Sequence, residues 1–299
     1  MAQTTAALTV TSGPVWSLQA VQPNAVTGAG PSATALNGQL WIAWHIPTTQ
    51  RVAIAGYNST TGTWTAPLIQ PVATTNNSPG IVALSGKLYV VWTGRSGLLD
   101  QVAISAYDPA SGTWGTATYN TQALSTHDPA IAVLNGQVWV AWKSASSYQI
   151  GYASFDPTSG TWSVPVLHPQ AQTNNRPALA AVGTHLYLGW TTLSSGVGYS
   201  FYDPTSGIWS GQAIQPAAAN LREGPSLTAS SGLLYAAWVT NTHKIAYASY
   251  NPATTVWSAM ALQPQAAADS GPALTVVGSN LTLVWKVQSL NELAFSFYG

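Results

Sequence analysis

The chain has 299 residues, of which 46% are hydrophobic and only 5% charged, with eight basic side chains balancing eight acidic ones. So little charge excludes a nucleic-acid groove, which needs clustered Lys and Arg to neutralise phosphates. The absence of cysteine excludes disulfides and thiolate metal sites, and leaves packing as the source of stability. Met1-Ala2-Gln3-Thr4-Thr5 lacks a basic n-region followed by an apolar run, and no stretch of 18 apolar residues occurs, so the chain reads as soluble, with no transmembrane segment.

Tryptophan supplies the ruler for the rest. One series is Trp44, Trp92, Trp142, Trp190, Trp238 and Trp285, at spacings of 48, 50, 48, 48 and 47 residues. A second is Trp16, Trp64, Trp114, Trp162, Trp209 and Trp257, at 48, 50, 48, 47 and 48. Twelve of the fourteen tryptophans therefore belong to six copies of one unit, at a period that marks a repeat architecture.

Taken in order, each copy predicts four strands. The first follows a proline, as in Pro31-Ser32-Ala33-Thr34-Ala35-Leu36, and ends at a hairpin turn such as Asn37-Gly38 or Asn135-Gly136. The second carries the first tryptophan, as in Leu40-Trp41-Ile42-Ala43-Trp44. The third is typified by Ile150-Gly151-Tyr152-Ala153-Ser154-Phe155 and runs into Asp156-Pro157-Thr158-Ser159-Gly160. The fourth begins at the second tryptophan and ends near Gln22, Gln70, Asn120, His168, Gln215 or Gln263. No helical period is sustained, and four strands per copy match a propeller blade.

The expected architecture is an all-β, six-bladed β-propeller with four antiparallel strands per blade, forming one domain over 1–299. The repeats run over 30–77, 78–127, 128–175, 176–223 and 224–270, and residues 271–299 join 1–29 to complete the sixth. Pairing of the two chain ends would close the ring and protect its sheet edges.

The path of a blade places the start of strand one and the end of strand two on one face. That rim would gather the tryptophans at 44, 92, 142, 190, 238 and 285 with His45, Lys143 and Lys286 beside them. The start of strand three adds Arg51, Gln101, Gln149 and Lys244, and the loop before strand one adds Asp128 and Arg176. An indole beside polar side chains suits a sugar, whose apolar face stacks on the ring while its hydroxyls take hydrogen bonds. The other reading of these tryptophans is that they fill the space between blades. The strand-four series reads as structural, as do Asn58, Asp108, Asp156, Asp203 and Asn251, which sit where Asx side chains cap turns.

The pattern Gly-Pro-Ala-Leu, Asn-Gly-Gln-Leu-Trp, Tyr-Ala-Ser-Phe-Asp and Gly-Thr-Trp, repeated along the whole chain, resembles bacterial β-propeller lectins of the Photorhabdus type. It is more distantly similar to the six-bladed fucose-binding lectins of the Aleuria type. The resemblance implies non-catalytic, multivalent binding of cell-surface glycans in pockets between blades, with fucose or an O-methylated sugar as ligand. The Arg and Glu that each Aleuria-type pocket uses do not recur here, where Glu223 and Glu292 are the only glutamates.

Two other classes stay open. A protein-interaction propeller would use the same face. A sialidase-like hydrolase would need an arginine cluster, a tyrosine nucleophile and an acid/base carboxylate, whereas Arg51, Arg95, Arg176 and Arg222 are spread over three of the copies. His45, His127, His168, His185 and His243 have no metal-ligand spacing, so neither a metal nor a cofactor is expected.

Overall fold

The computed structural model describes residues 14–96, 99–219, 221 and 223–299, with backbone alone at 95, 96 and 99. Met1–Thr5 and Arg222, both used in reading the sequence, lie outside the described residues, and so does the side chain of Arg95. The described chain is all-β and forms six antiparallel sheets, the blades of a propeller. Among the described residues no helix is long and apolar enough to cross a membrane.

The third blade shows the pattern. Its innermost strand Ala130–Leu134 pairs with Gln137–Lys143, which pairs with Gln149–Asp156. The fourth strand comes in two pieces, Thr161–Trp162 and Val166–Gln172, both antiparallel to the third. The ring closes as expected: Ala20–Val26 pairs with Glu292–Tyr298, so the two chain ends share one blade.

Turn chemistry accounts for the hairpins. Asn37-Gly38 and Asn135-Gly136 both have φ of 52° at Asn, with 74° and 75° at the following Gly, a left-handed pair that Asn and Gly tolerate best. At the third turn Asn58, Asp108, Asp156, Asp203 and Asn251 each accept, through Oδ1, the N–H two residues on, at 2.8 to 2.9 Å. These are Asx turns, which disposes of them as an acidic site.

One sequence signal has a larger role than the ending of a strand. Gln22, Gln70, Asn120, His168, Gln215 and Gln263 are 0 to 5% exposed. In five of the six blades the outer strand continues past this position through a shift of register or, at His168, through the same register break. Gln70 Oε1 accepts the N–H groups of both Val72 and Ala73, and Gln215 does the same for Ala217 and Ala218. The buried side chain thus satisfies the backbone donors that the break in the ladder releases.

The six innermost strands surround an axial channel. Their free edges are partly satisfied by hydroxyls of the neighbouring blade: Ser32 Oγ accepts from Ile81 N at 3.1 Å, Thr34 Oγ1 from Ala83 N at 3.2 Å, and Ser226 Oγ from Leu274 N at 2.9 Å. Hydrophobic clusters span blade boundaries. One of them joins Ala132, Ile150 and Ala171 of the third blade to Leu179, Leu188 and Trp190 of the fourth.

Candidate functional site

The strand-two tryptophans are not open to solvent. Trp44, Trp92, Trp142, Trp190, Trp238 and Trp285 are 1, 0, 3, 0, 1 and 0% exposed. The reason is radial. Strand two lies one place from the axis and has a neighbouring blade on each face, so both faces of each indole are covered. His168 of the third blade illustrates the cover, its ring centroid lying 5.7 Å from that of Trp190 and 4.7 Å from that of Trp209. The expectation that these rings stack openly on a sugar is corrected accordingly. The strand-four tryptophans, read as the more structural series, are less buried; Trp209 is 8% exposed and Trp16, Trp64, Trp114, Trp162 and Trp257 are half-buried.

The remaining rim residues divide. His45, Gln101 and Lys286 are 6, 8 and 7% exposed, and Lys286 Nζ is bonded to Asp269 Oδ1 at 2.9 Å. Arg51 Nη1 donates to the Pro71 carbonyl at 2.5 Å. Asp128 and Arg176 belong to the mouth of the axial channel and not to the blade boundaries, because the loop before strand one turns inward to the axis. Lys244 is exposed and Gln149 half-buried. Lys143 is half-buried, with Nζ 5.8 Å from the centre of the exposed Tyr148 ring.

A cleft does form beside one tryptophan. Between the second and third blades, Trp142 and Gly151 form the base of a space of about 290 Å³. Its apolar wall is Leu124, Val166 and Leu167, and its polar wall is Gln122, Ser144 and Ser146. Val166 and Leu167 are 50 and 48% exposed, so this apolar surface faces solvent at the cleft. The indole edge lies against Gly151, where an added Cβ would stand 2.8 Å from Trp142 Cε2 and 2.9 Å from Nε1.

Gly198 faces Trp190 in the same way. The other four blades have alanine at this position, at Ala53, Ala103, Ala246 and Ala294. The hydroxyl pair recurs too. Ser144 and Ser146 lie 3.2 Å apart through their Oγ atoms, and Thr192 with Ser194 and Thr240 with Thr242 are both 3.0 Å apart. These hydroxyls stand two and four places after the strand-two tryptophan. That spacing was available in the sequence, but Ser and Thr are common in loops and gave no reason to single it out.

A second polar hollow, of about 240 Å³, lies between the first and second blades and includes Asn76, Asn77 and Thr93. Asn77 Nδ2 donates to Thr93 Oγ1 at 2.7 Å, so this polar wall is already internally bonded. Among the described residues no group of three His, Cys, Asp or Glu side chains is placed to hold a metal ion.

No model of a protein family matches the sequence, and a search of curated proteins finds no match. Solved structures do match. A Hadza microbial sialidase superposes with a TM-score of 0.66 at 13% identity, over 90% of this chain and 65% of that one, so this chain spans less than two thirds of its length. A protein of unknown function from Dyadobacter fermentans superposes with a TM-score of 0.72 at 11% identity, over 96% of this chain and 99% of that one. At these identities the likeness shows the six-bladed fold alone.

Proposed function

We propose that this protein is a non-catalytic, multivalent carbohydrate-binding protein that holds sugars in clefts between blades. The observation that carries the reading is the cleft at Trp142. The apolar side chains of Leu124, Val166 and Leu167 and the polar ones of Gln122, Ser144 and Ser146 line one space of monosaccharide size. A pyranose has the matching division, with C–H groups on one face and hydroxyls at its edge. The resemblance to propeller lectins implies fucose or an O-methylated sugar, and either would offer a methyl group to the apolar wall. The tryptophan contributes its edge and shapes the floor; it does not act as an open platform.

Catalysis is disfavoured by what lines the cleft, which contains no carboxylate, tyrosine or arginine among the described residues. Arg51 and Arg176 are each bonded to backbone carbonyls in separate parts of the ring. What this chain shares with the sialidase named above, at 13% identity, is the fold. Several shallow sites on one ring would engage a glycosylated surface together, which raises avidity about 10² to 10⁴ fold over one site.

Gly151→Ala tests the cleft. The added methyl pushes the indole into the space, yet alanine occupies the same place in four other blades, so the stability change is expected to stay below about 1.5 kcal/mol. Sugar titration should show one site weakened about tenfold or more, a loss of ~1.4 kcal/mol or more. Unchanged binding at every site, with the fold intact, would remove this cleft from the proposal.

A further inference from the structure

In a chain with eight basic and eight acidic residues, five charged side chains meet at one place. Asp128, Arg176, Glu223, Asp269 and Lys286 surround the mouth of the axial channel, a hollow of about 400 Å³ separate from the blade clefts. Glycines make room for them. A Cβ on Gly30 would collide with the Gly271 carbonyl, and one on Gly224 with that of Arg176. Arg176 can therefore lie across the axis, donating from Nη2 to the Pro272 carbonyl at 2.6 Å and from Nη1 to that of Pro31 at 3.4 Å.

The charges do not balance. Lys286 is taken by Asp269, Arg176 is bonded to backbone carbonyls, and Asp128 Oδ1 accepts the Ser78 N–H at 2.8 Å. The Glu223 carboxylate receives no hydrogen bond from any described residue. Burial pushes its pKa up, with Arg176 opposing and the carboxylates of Asp128 and Asp269 adding to the rise. The spare charge at the mouth is thus negative.

Buried polar groups beside the mouth also lack partners. His45 is 6% exposed, neither ring nitrogen has one, and its Nδ1 lies 4.0 Å from where a Cβ on Gly28, in the wall of the hollow, would stand. Ser78 is 1% exposed with its Oγ unpartnered, and Ser270 Oγ, in the wall, is unpartnered as well. Buried polar atoms of this kind are satisfied by water or by a ligand, and these adjoin a charged hollow able to admit either.

We propose that the axial mouth is a second binding site, for a small organic cation bearing a primary ammonium group, with Glu223 as its counter-ion. An ammonium donates three hydrogen bonds, and the hollow offers it acceptors in Glu223, Asp128 and the Ser270 hydroxyl, all of which line it. Its flexible demands suit carboxylates too dispersed to form a metal cluster. The site stands independently of the sugar reading.

The probe is 1,4-diaminobutane, titrated by calorimetry at low salt into the full chain. The unmodified protein and Gly151→Ala should bind it alike, and Glu223→Gln should bind at least about tenfold more weakly, as expected for loss of a charge-assisted hydrogen bond. A second reading uses the unmodified protein alone. In mildly acidic buffer, binding should release protons, because the ammonium draws the Glu223 carboxyl to its charged form. Absence of binding, equal binding by Glu223→Gln, binding without proton release, or displacement by acetate, which would mean that Arg176 governs the mouth, would each overturn the proposal.

Discussion

Replacing Trp190 with alanine is expected to destabilise the protein by about 3 to 5 kcal/mol, the range for removing a buried tryptophan from a packed core. The side chain is fully buried, and it belongs to a cluster that joins the third and fourth blades. Its loss would leave a cavity between two sheets that cannot collapse on each other without shifting the ring. Trp162, half-buried at the outer edge, should cost clearly less. Urea unfolding of both variants checks this. A Trp190→Ala change below about 1 kcal/mol, or the reverse order, would contradict the radial account of burial.

The second large effect concerns His168. Its Nδ1 accepts from Gln170 N at 3.1 Å and Ala171 N at 2.9 Å, so the ring proton belongs on Nε2, which donates to Ser200 Oγ at 3.0 Å. The imidazole thereby imitates the glutamine found at Gln22, Gln70, Gln215 and Gln263. Burial lowers its pKa from the ordinary 6.5 to about 4. Below pH 6.5 the unfolded chain takes up a proton that the folded protein refuses until about pH 4. Stability must therefore fall with pH across that window and level off beneath it, by about 3 kcal/mol in total at ~1.4 kcal/mol per pH unit.

His168→Gln should abolish this increment while keeping stability at pH 7 within about 1 kcal/mol, since glutamine can supply the same acceptor and donor. His45 and His127 are also lowered by burial, but they are common to both proteins and cancel in the difference. Chemical denaturation from pH 7 to pH 4 gives the comparison. Parallel curves for the two proteins would refute the assignment of His168 as the buried neutral group.

The blades were legible because their signals are local. Asn-Gly at the first hairpin, Asx at the third turn and tryptophan at a fixed spacing each act within one copy, and six copies repeat the message. Exposure was not legible in the same way. The sequence marks Trp142 as a rim candidate and Trp162 as structural, yet Trp142 is the more buried of the two; what separates them is distance from the axis, which sets how many neighbouring sheets cover the ring. The closure of the ring by Ala20–Val26 was legible from an incomplete copy at each end.

The axial mouth was the least legible feature. Asp128, Arg176, Glu223, Asp269 and Lys286 come from the third to sixth copies and from the connections between them, and only the curvature of the ring brings them together. Reading each copy alone placed Asp128, Arg176 and Lys286 on the correct face, yet it distributed them among blades. The outer-strand break was also missed, because one Gln-Pro step resembles a strand end until the buried amide is seen to hold the backbone that follows.

The measurement that tests the central claim most directly is calorimetric titration of the full chain with fucose and with an O-methylated fucose, read as sites per chain. Saturable binding with more than one site per chain, reduced by one in Gly151→Ala, is the result predicted. No binding of either sugar, with a blank response across a broad glycan array, would contradict carbohydrate recognition and move the clefts to a protein partner.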